Sequence, residues 1–283
     1  MAQQPLPGQS TTFTGVTGRI LPQAALEWRF PLVRPGRSLD QVVQPVVEVI
    51  VAPNGGNPEE IPNEDSRAIE LGVSNVFGLD RFPGLDRVES GTRVNYGLEY
   101  QIYDRDGGSA SLFAGQVYRA SQSAVFDAAS GLDDHLSDVV AGAHLRFPPY
   151  VNVRYRAVYD VIQSQFRRNE VQFSLGFNPF RLSGSYVFFR EDPFAEFPSR
   201  EELQLTASSQ LTRYWRARVF GTEDLAPGGE LLRLGTGVTY EDECFLVDAS
   251  WTREEFEDRD LQPSDTFFVR VALKTLGDLG FGF

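Results

Sequence analysis

The feature that most constrains this chain is a two-residue rhythm that returns, segment after segment, along most of its 283 residues. From Arg93 onward Val94, Tyr96, Leu98, Tyr100 and Ile102 fall on one face, and Arg93, Asn95, Gly97, Glu99 and Gln101 on the other. Successive side chains of a β-strand point to opposite faces, so this is a strand with one oily and one wet side. The same alternation runs through Ala24, Leu26, Trp28, Phe30 and Leu32, through Val151, Val153, Tyr155, Ala157 and Tyr159, and through Phe245, Val247, Ala249 and Trp251. Such segments number roughly thirteen, most of about 9 to 11 residues, the length a tilted strand needs to cross hydrocarbon. Two segments are less clear: the Val-rich stretch 42–51 contains Pro45, which cannot donate to a ladder, and alternation is blurred over 109–118.

The connections alternate as well. Pro148-Pro149, Asn178-Pro179, Thr212-Arg213 and Glu241-Asp242-Glu243 are tight turns, whereas 162–169, 191–199, 223–229 and 255–264 read as longer, mostly acidic loops. Short turns on one side and long loops on the other are the pattern of outer-membrane barrels. Bulky residues flank the short turns: Phe147 and Tyr150, Phe177 and Phe180, Leu211 and Trp215, Tyr240 and Phe245, as in an interfacial girdle.

A soluble sandwich also alternates. Here the oily face carries almost no charge along many consecutive strands, and no separate set of strands or helices remains to cover it. In lipid, every backbone polar group must be paired internally, so a spanning sheet closes into a barrel. The expected fold class is therefore all-β, an antiparallel transmembrane β-barrel. Residues 1–21 read as a loop or the end of a preceding strand, 22–283 as barrel, and 52–90 as one long extracellular loop. With the short turns in the periplasm the first strand starts on the outer side. A complete barrel has both termini in the periplasm, so an odd number of strands is expected upstream and this chain is the C-terminal half of a larger barrel. Met1-Ala2-Gln3-Gln4-Pro5 has neither the basic start nor the apolar core of a signal peptide, so an exported chain would begin further upstream. The net charge of -13 argues against nucleic acid as a partner.

One stretch differs in character. Ile61-Pro62-Asn63-Glu64-Asp65-Ser66 lies in the long loop, followed by Arg81-Phe82-Pro83-Gly84-Leu85-Asp86-Arg87-Val88-Glu89 and Gly91-Thr92-Arg93-Val94-Asn95-Tyr96-Gly97. From its residues alone the first piece is a turn cluster. Together, and with Tyr240-Glu241-Asp242-Glu243-Cys244 and Leu273-Lys274-Thr275-Leu276-Gly277 near the end, the chain resembles the barrel domain of the LPS-assembly protein family LptD, also called Imp or OstA. The resemblance implies an outer-membrane protein, not an enzyme, that inserts lipopolysaccharide into the outer leaflet through a barrel of about 26 strands. It implies a lumenal lipoprotein plug of the LptE kind, and a periplasmic bridge of the LptA kind reached through an N-terminal domain absent here. The loop Ile61 to Ser66 would fold over the lumen. The last strand, from Thr266 to Leu276, would form part of a lateral seam. Cys244 would be disulfide-bonded to the absent domain, although the better-known members carry a cysteine pair where this chain has Glu243 and Cys244. Without the resemblance, Cys244 is simply a small, partly buried residue.

No nucleophile elbow, metal-spaced histidine pair or phosphate loop is present, and no cofactor is implied. An outer-membrane hydrolase would have to combine His144 with an inward Ser174, Ser183 or Ser208; His135 lies in the acidic loop Asp133-Asp134. A passive porin-like channel is the other alternative. Arg93, Arg146, Arg154, Arg156, Arg181, Arg216, Arg218, Arg233 and Arg270 fall on the wet parity. The plainer reading is a wall salt-bridged through Glu99, Asp138, Asp160, Glu202 and Asp248. In the functional reading, Arg154, Arg156, Arg181, Arg216, Arg218 and Arg233 contact the phosphates and acidic sugars of lipopolysaccharide, or the plug, because guanidinium matches both in two-point hydrogen bonds.

Overall fold

The computed structural model describes residues 15–66, 69–122, 125–127, 130–190, 199–255, 262–274 and 277–282. The start of the chain, the acidic stretches 191–198 and 256–261, and Thr275 and Leu276 lie outside the described residues. Among those described, the regular structure is one antiparallel sheet of fifteen strands. β1 (Ala24–Arg29) and β2 (Leu32–Arg34) lie in series along β3 (Leu39–Val51). From β3 the sheet is a meander, each strand pairing with the next in sequence. It runs through β4 (Arg93–Asp104), β5 (Ser109–Arg119), β6 (Val139–Phe147), β7 (Val151–Asp160), β8 (Gln165–Phe177) and β9 (Phe180–Phe189). It continues through β10 (Arg200–Gln210), β11 (Trp215–Asp224), β12 (Leu231–Glu241), β13 (Phe245–Glu254), β14 (Ser264–Leu273) and β15 (Gly277–Gly282). The end strands β1 and β15 are not paired with each other, so the sheet is an open wall.

Three departures from the sequence pattern have physical reasons. The first oily segment is two strands, because Pro31 interrupts it. Pro45 sits mid-strand in β3 at that same place: its carbonyl accepts from Phe30 N at 3.3 Å, so its N side faces the break between β1 and β2. A strand residue's N and C=O point the same way, so the one bond the proline cannot donate falls at that break and the ladder with β4 is untouched. Second, residues 165–169 are strand rather than loop. A bulge between Val158 and Tyr159 shifts the register against Phe166 and Arg168 and hides the alternation. Third, the turn at Lys274 leads into β15, so the strand ending near Leu273 is not the last.

One face of the sheet is exposed and apolar, with Leu26, Leu112, Val219 and Phe267 among its residues. Where the short turns lie, Trp215 and Tyr240 meet edge to face at 5.0 Å, and Tyr240 and Phe245 at 5.5 Å, as the girdle reading expects. The other face, called inner here, is not uniformly hydrophilic. Val117 of β5, Val140 of β6 and Val158 of β7 point inward and are buried beneath the connections 52–92 and 120–138. Leu71, Val76 and Phe82 of the first connection and Phe126 and Leu132 of the second complete this core. The blur over β5 follows: its inner parity holds Phe113 and Val117, which meet loop rather than water.

Because Leu71 is fully buried in this core, Leu71→Ala should lower stability by about 2–5 kcal/mol. Leu112→Ala on the outer face should cost less, as urea unfolding of the lipid-reconstituted protein would show.

Candidate functional site: a loop latched to the inner wall

The motif stretch is a buried ionic latch. Arg93 and Arg119 stand directly opposite one another across β4 and β5. Both are almost fully buried. Like charges so placed repel, and the long loop supplies the anion between them. Glu89 Oε1 accepts from Arg81 Nη1 at 2.5 Å, pairs with Arg93 Nε at 3.3 Å, and accepts from Arg119 Nη1. Arg81 also donates to Val76 O at 2.6 Å, Asn75 O at 3.0 Å and Asn95 Oδ1 at 3.0 Å. Asn95 Nδ2 in turn donates to Glu48 Oε2 of β3 at 2.7 Å. Arg93 Nη2 donates to Leu79 O, and Arg119 Nη2 to Ser90 O at 2.8 Å. Burial lowers the Arg81 pKa, with Glu89 opposing. Phe82 stacks on Phe126 at 5.2 Å, and Arg119 lies over the Phe126 ring at 4.8 Å.

A second clamp joins the two loop motifs. Asp65 accepts from Leu85 N at 2.8 Å and Asp86 N at 3.0 Å, while Asp86 accepts from Glu64 N at 2.7 Å and Asp65 N at 3.1 Å. The Leu85 and Asp86 N–H groups hold the Asp65 carboxyl at about 2, below its ordinary 3.8. Ser66 Oγ donates to Asp65 at 2.9 Å, Asn63 and Ser66 bond each other, and Arg87 donates to Ile61 O at 2.8 Å across Pro62. Gly84 is required by contact, since a Cβ there would overlap the Asp65 carboxylate. Gly91 takes φ 84°, open to glycine but strained for other residues. Gly97 leaves room for the Phe113 ring, while Tyr96 faces outward and donates to Gln116 at 2.6 Å.

The loop is tied to the wall again at β8, where Arg168 meets Glu70 at 2.6 Å. Burial raises the Glu70 pKa, with Arg168 opposing. Arg167, at the bulge, reaches Asp138 at 2.6 Å and Asp160 at 2.7 Å. Sequence reasoning did not single out Arg119, Glu48, Glu70, Arg167 or Arg168 as site residues. The available signal was inward parity for Glu48 and Arg119.

The remaining inner arginines divide. Arg156 pairs with Glu170 at 2.7 Å, Arg218 with Asp248 at 2.7 Å, and Arg233 with Glu254 at 3.9 Å, while Arg216 bonds Gln210 at 3.3 Å. Asp248 is thus one of the wall partners the sequence named; Glu170 was not among them. Arg146, Arg154 and Arg181 have no ion pair or side-chain hydrogen bond among the described residues. His144 is engaged by Asn152 at 2.9 Å. Ser174 lies two strands away, about 10 Å at the usual strand spacing, and Ser183 and Ser208 lie further, so none of these three is brought to it; the serine opposite His144 is Ser111 of β5. Cys244 is exposed in the turn between β12 and β13. Its N–H donates to Asp242 Oδ1 at 2.7 Å, and the Phe245 and Cys244 N–H groups keep the Asp242 carboxyl below its ordinary range.

Two outcomes follow. Glu89→Gln leaves three buried guanidinium groups without their carboxylate and should destabilise the folded protein by about 3–5 kcal/mol, read from urea unfolding midpoints. The Asp65 clamp, its carboxyl depressed on folding, contributes in full above pH 3.8 and is lost as pH falls through about 2. Pepsin cleavage between Ile61 and Leu85 should therefore stay suppressed at pH 4 and rise toward pH 2, whereas Asp65→Asn should already be cut at pH 4.

A family model described as LPS transport system D, LptD, matches residues 2–215, about three-quarters of the chain. That stretch includes both loop motifs and the latch, and it ends before Cys244. No curated protein matches the chain. An antiparallel sheet with an apolar outer face, carrying the motif loop latched inside it, fits the match in kind and position. The chain belongs to the LptD family of outer-membrane lipopolysaccharide transport proteins.

Proposed function

We propose that this chain forms the C-terminal part of a barrel that receives lipopolysaccharide from a periplasmic LptA-like bridge and inserts it into the outer leaflet, with an LptE-like lipoprotein against the uncovered inner wall. In this reading the short turns face the periplasm, and residues 52–90 are an extracellular loop folded back over the lumen. Arg154 of β7 and Arg181 of β9 carry the proposal. Each offers an inward guanidinium with no carboxylate partner among the described residues, suited to two-point contact with phosphate or carboxylate. Arg156, Arg218 and Arg233, which have wall partners, are secondary contacts. Cys244 presents its thiol at the short-turn end, open to a cysteine of the preceding domain in an oxidising compartment. A passive porin-like channel is disfavoured by the two connections packed on the inner wall.

In the full-length protein, joint reversal by Arg154→Glu and Arg181→Glu should reduce lipopolysaccharide delivery to the cell surface by about tenfold or more. Arg200→Glu, at a rim position paired with Glu202, should leave delivery near normal. Unchanged delivery together with unchanged lipoprotein co-purification in the double variant would remove these residues from the pathway. A free Cys244 thiol in protein from oxidised cells would remove the disulfide.

A further inference from the structure

The turn between β10 and β11 holds a small recess of about 100 Å³ lined by Gln210, Arg213, Tyr214, Arg216, Thr239 and Glu241. Two of these are cations without a carboxylate partner among the described residues. Arg213 has only the Tyr214 ring, 5.4 Å away. Arg216 spends its Nε on Gln210 at 3.3 Å, which leaves its terminal nitrogens free of partners among those residues. The one carboxylate in the recess, Glu241, is met by Lys274 Nζ at 3.2 Å. The recess is therefore a polar pocket with a surplus of positive charge.

Its outer lip is aromatic. Tyr214 packs on Tyr240 at 5.9 Å, and Trp215 and Phe245 close on the same ring. Tyr214, Trp215 and Phe245 are all exposed. Parity places Arg216 on the inner face and Trp215 on the outer one, so Tyr214 and Arg213 stand at the rim between them. Amphipathic rings beside guanidinium groups are the combination that seats a lipid at a membrane interface: the rings take the glycerol and upper acyl chains, and the cations take the phosphate.

We infer that this rim recess binds the phosphate of an anionic phospholipid from the surrounding leaflet, held between Arg213 and Arg216 with its apolar part on Tyr214, Trp215 and Tyr240. The inference rests on the membrane placement of the barrel and not on which lipid it transports. A lipid held here fixes the height of the β10–β11 rim in the bilayer and covers the edge between the lumen and the leaflet.

The test uses the full-length protein in detergent micelles with no lipopolysaccharide present, counting bound lipid by native mass spectrometry. Phosphatidylglycerol, a diacylglycerol with the same chains, and inorganic phosphate are the probes. Wild type should retain phosphatidylglycerol in preference to diacylglycerol, and equimolar inorganic phosphate should not displace it. Joint Arg213→Glu and Arg216→Glu should weaken retention by about tenfold or more, and joint Arg213→Lys and Arg216→Lys by less, because lysine keeps the charge and loses the two-point geometry. Heat-modifiable gel mobility establishes that each variant is folded, and Tyr214→Ala provides a second, charge-neutral variant that should also weaken retention. Retention in the folded Glu variant within about twofold of wild type, equal binding of diacylglycerol, or displacement by inorganic phosphate alone would overturn the inference. Because transport is not measured, these outcomes are separate from those that decide the role of Arg154 and Arg181.

Discussion

Two guanidinium groups facing each other across adjacent strands, with almost no access to water, cannot coexist without an anion between them. In this protein β4 and β5 bring Arg93 and Arg119 into that position, and the anion, Glu89, comes from the loop. In a low-dielectric site the repulsion grows and water is not available to relieve it. The pairing of β4 with β5 and the docking of the loop are therefore one event. The wall is fully compatible with its own charges only when residues 81–89 are in place, and the loop keeps its shape only against the wall. Asp65 and Asp86 extend the same logic within the loop, each carboxylate bound by the other motif's backbone.

This coupling divides the inner surface. Under the connections the wall is dry, with Val117, Val140 and Val158 packed against Leu71, Phe82 and Leu132. Ion pairs at Glu70–Arg168 and Asp138–Arg167 border this region at β8. Further along, Arg181, Ser183, Thr206 and Arg216 occupy an inner face without that cover. In the function proposed above, this second region is the one that meets the polar part of lipopolysaccharide.

Much of the architecture could be read from the sequence, for a specific reason. Strands whose outer face meets lipid alternate cleanly whatever lies inside, so β4, β7, β12 and β13 were legible. β5 and the start of β8 were not, because their inner positions are filled by Phe113 and Val117 or by Arg167 and Arg168. Those choices answer to distant residues in the loops. The motif residues were legible as a motif but not as a mechanism: Glu89 reaches Arg119 thirty positions later, and no local spacing encodes that contact. The split of β1 from β2 falls where Pro45 stands opposite Phe30, the residue before Pro31, a coincidence visible only once the strands are paired.

The bulge between β7 and β8 has a mechanical consequence. Among the described residues, it lies where the flank stiffened by the latched loops gives way to strands on which no connection is packed. When such a wall is deformed, the braced flank moves as a rigid panel and the flexing is taken up from β9 onward. Any load on the wall is thereby taken up first on the flank that carries no latched loop.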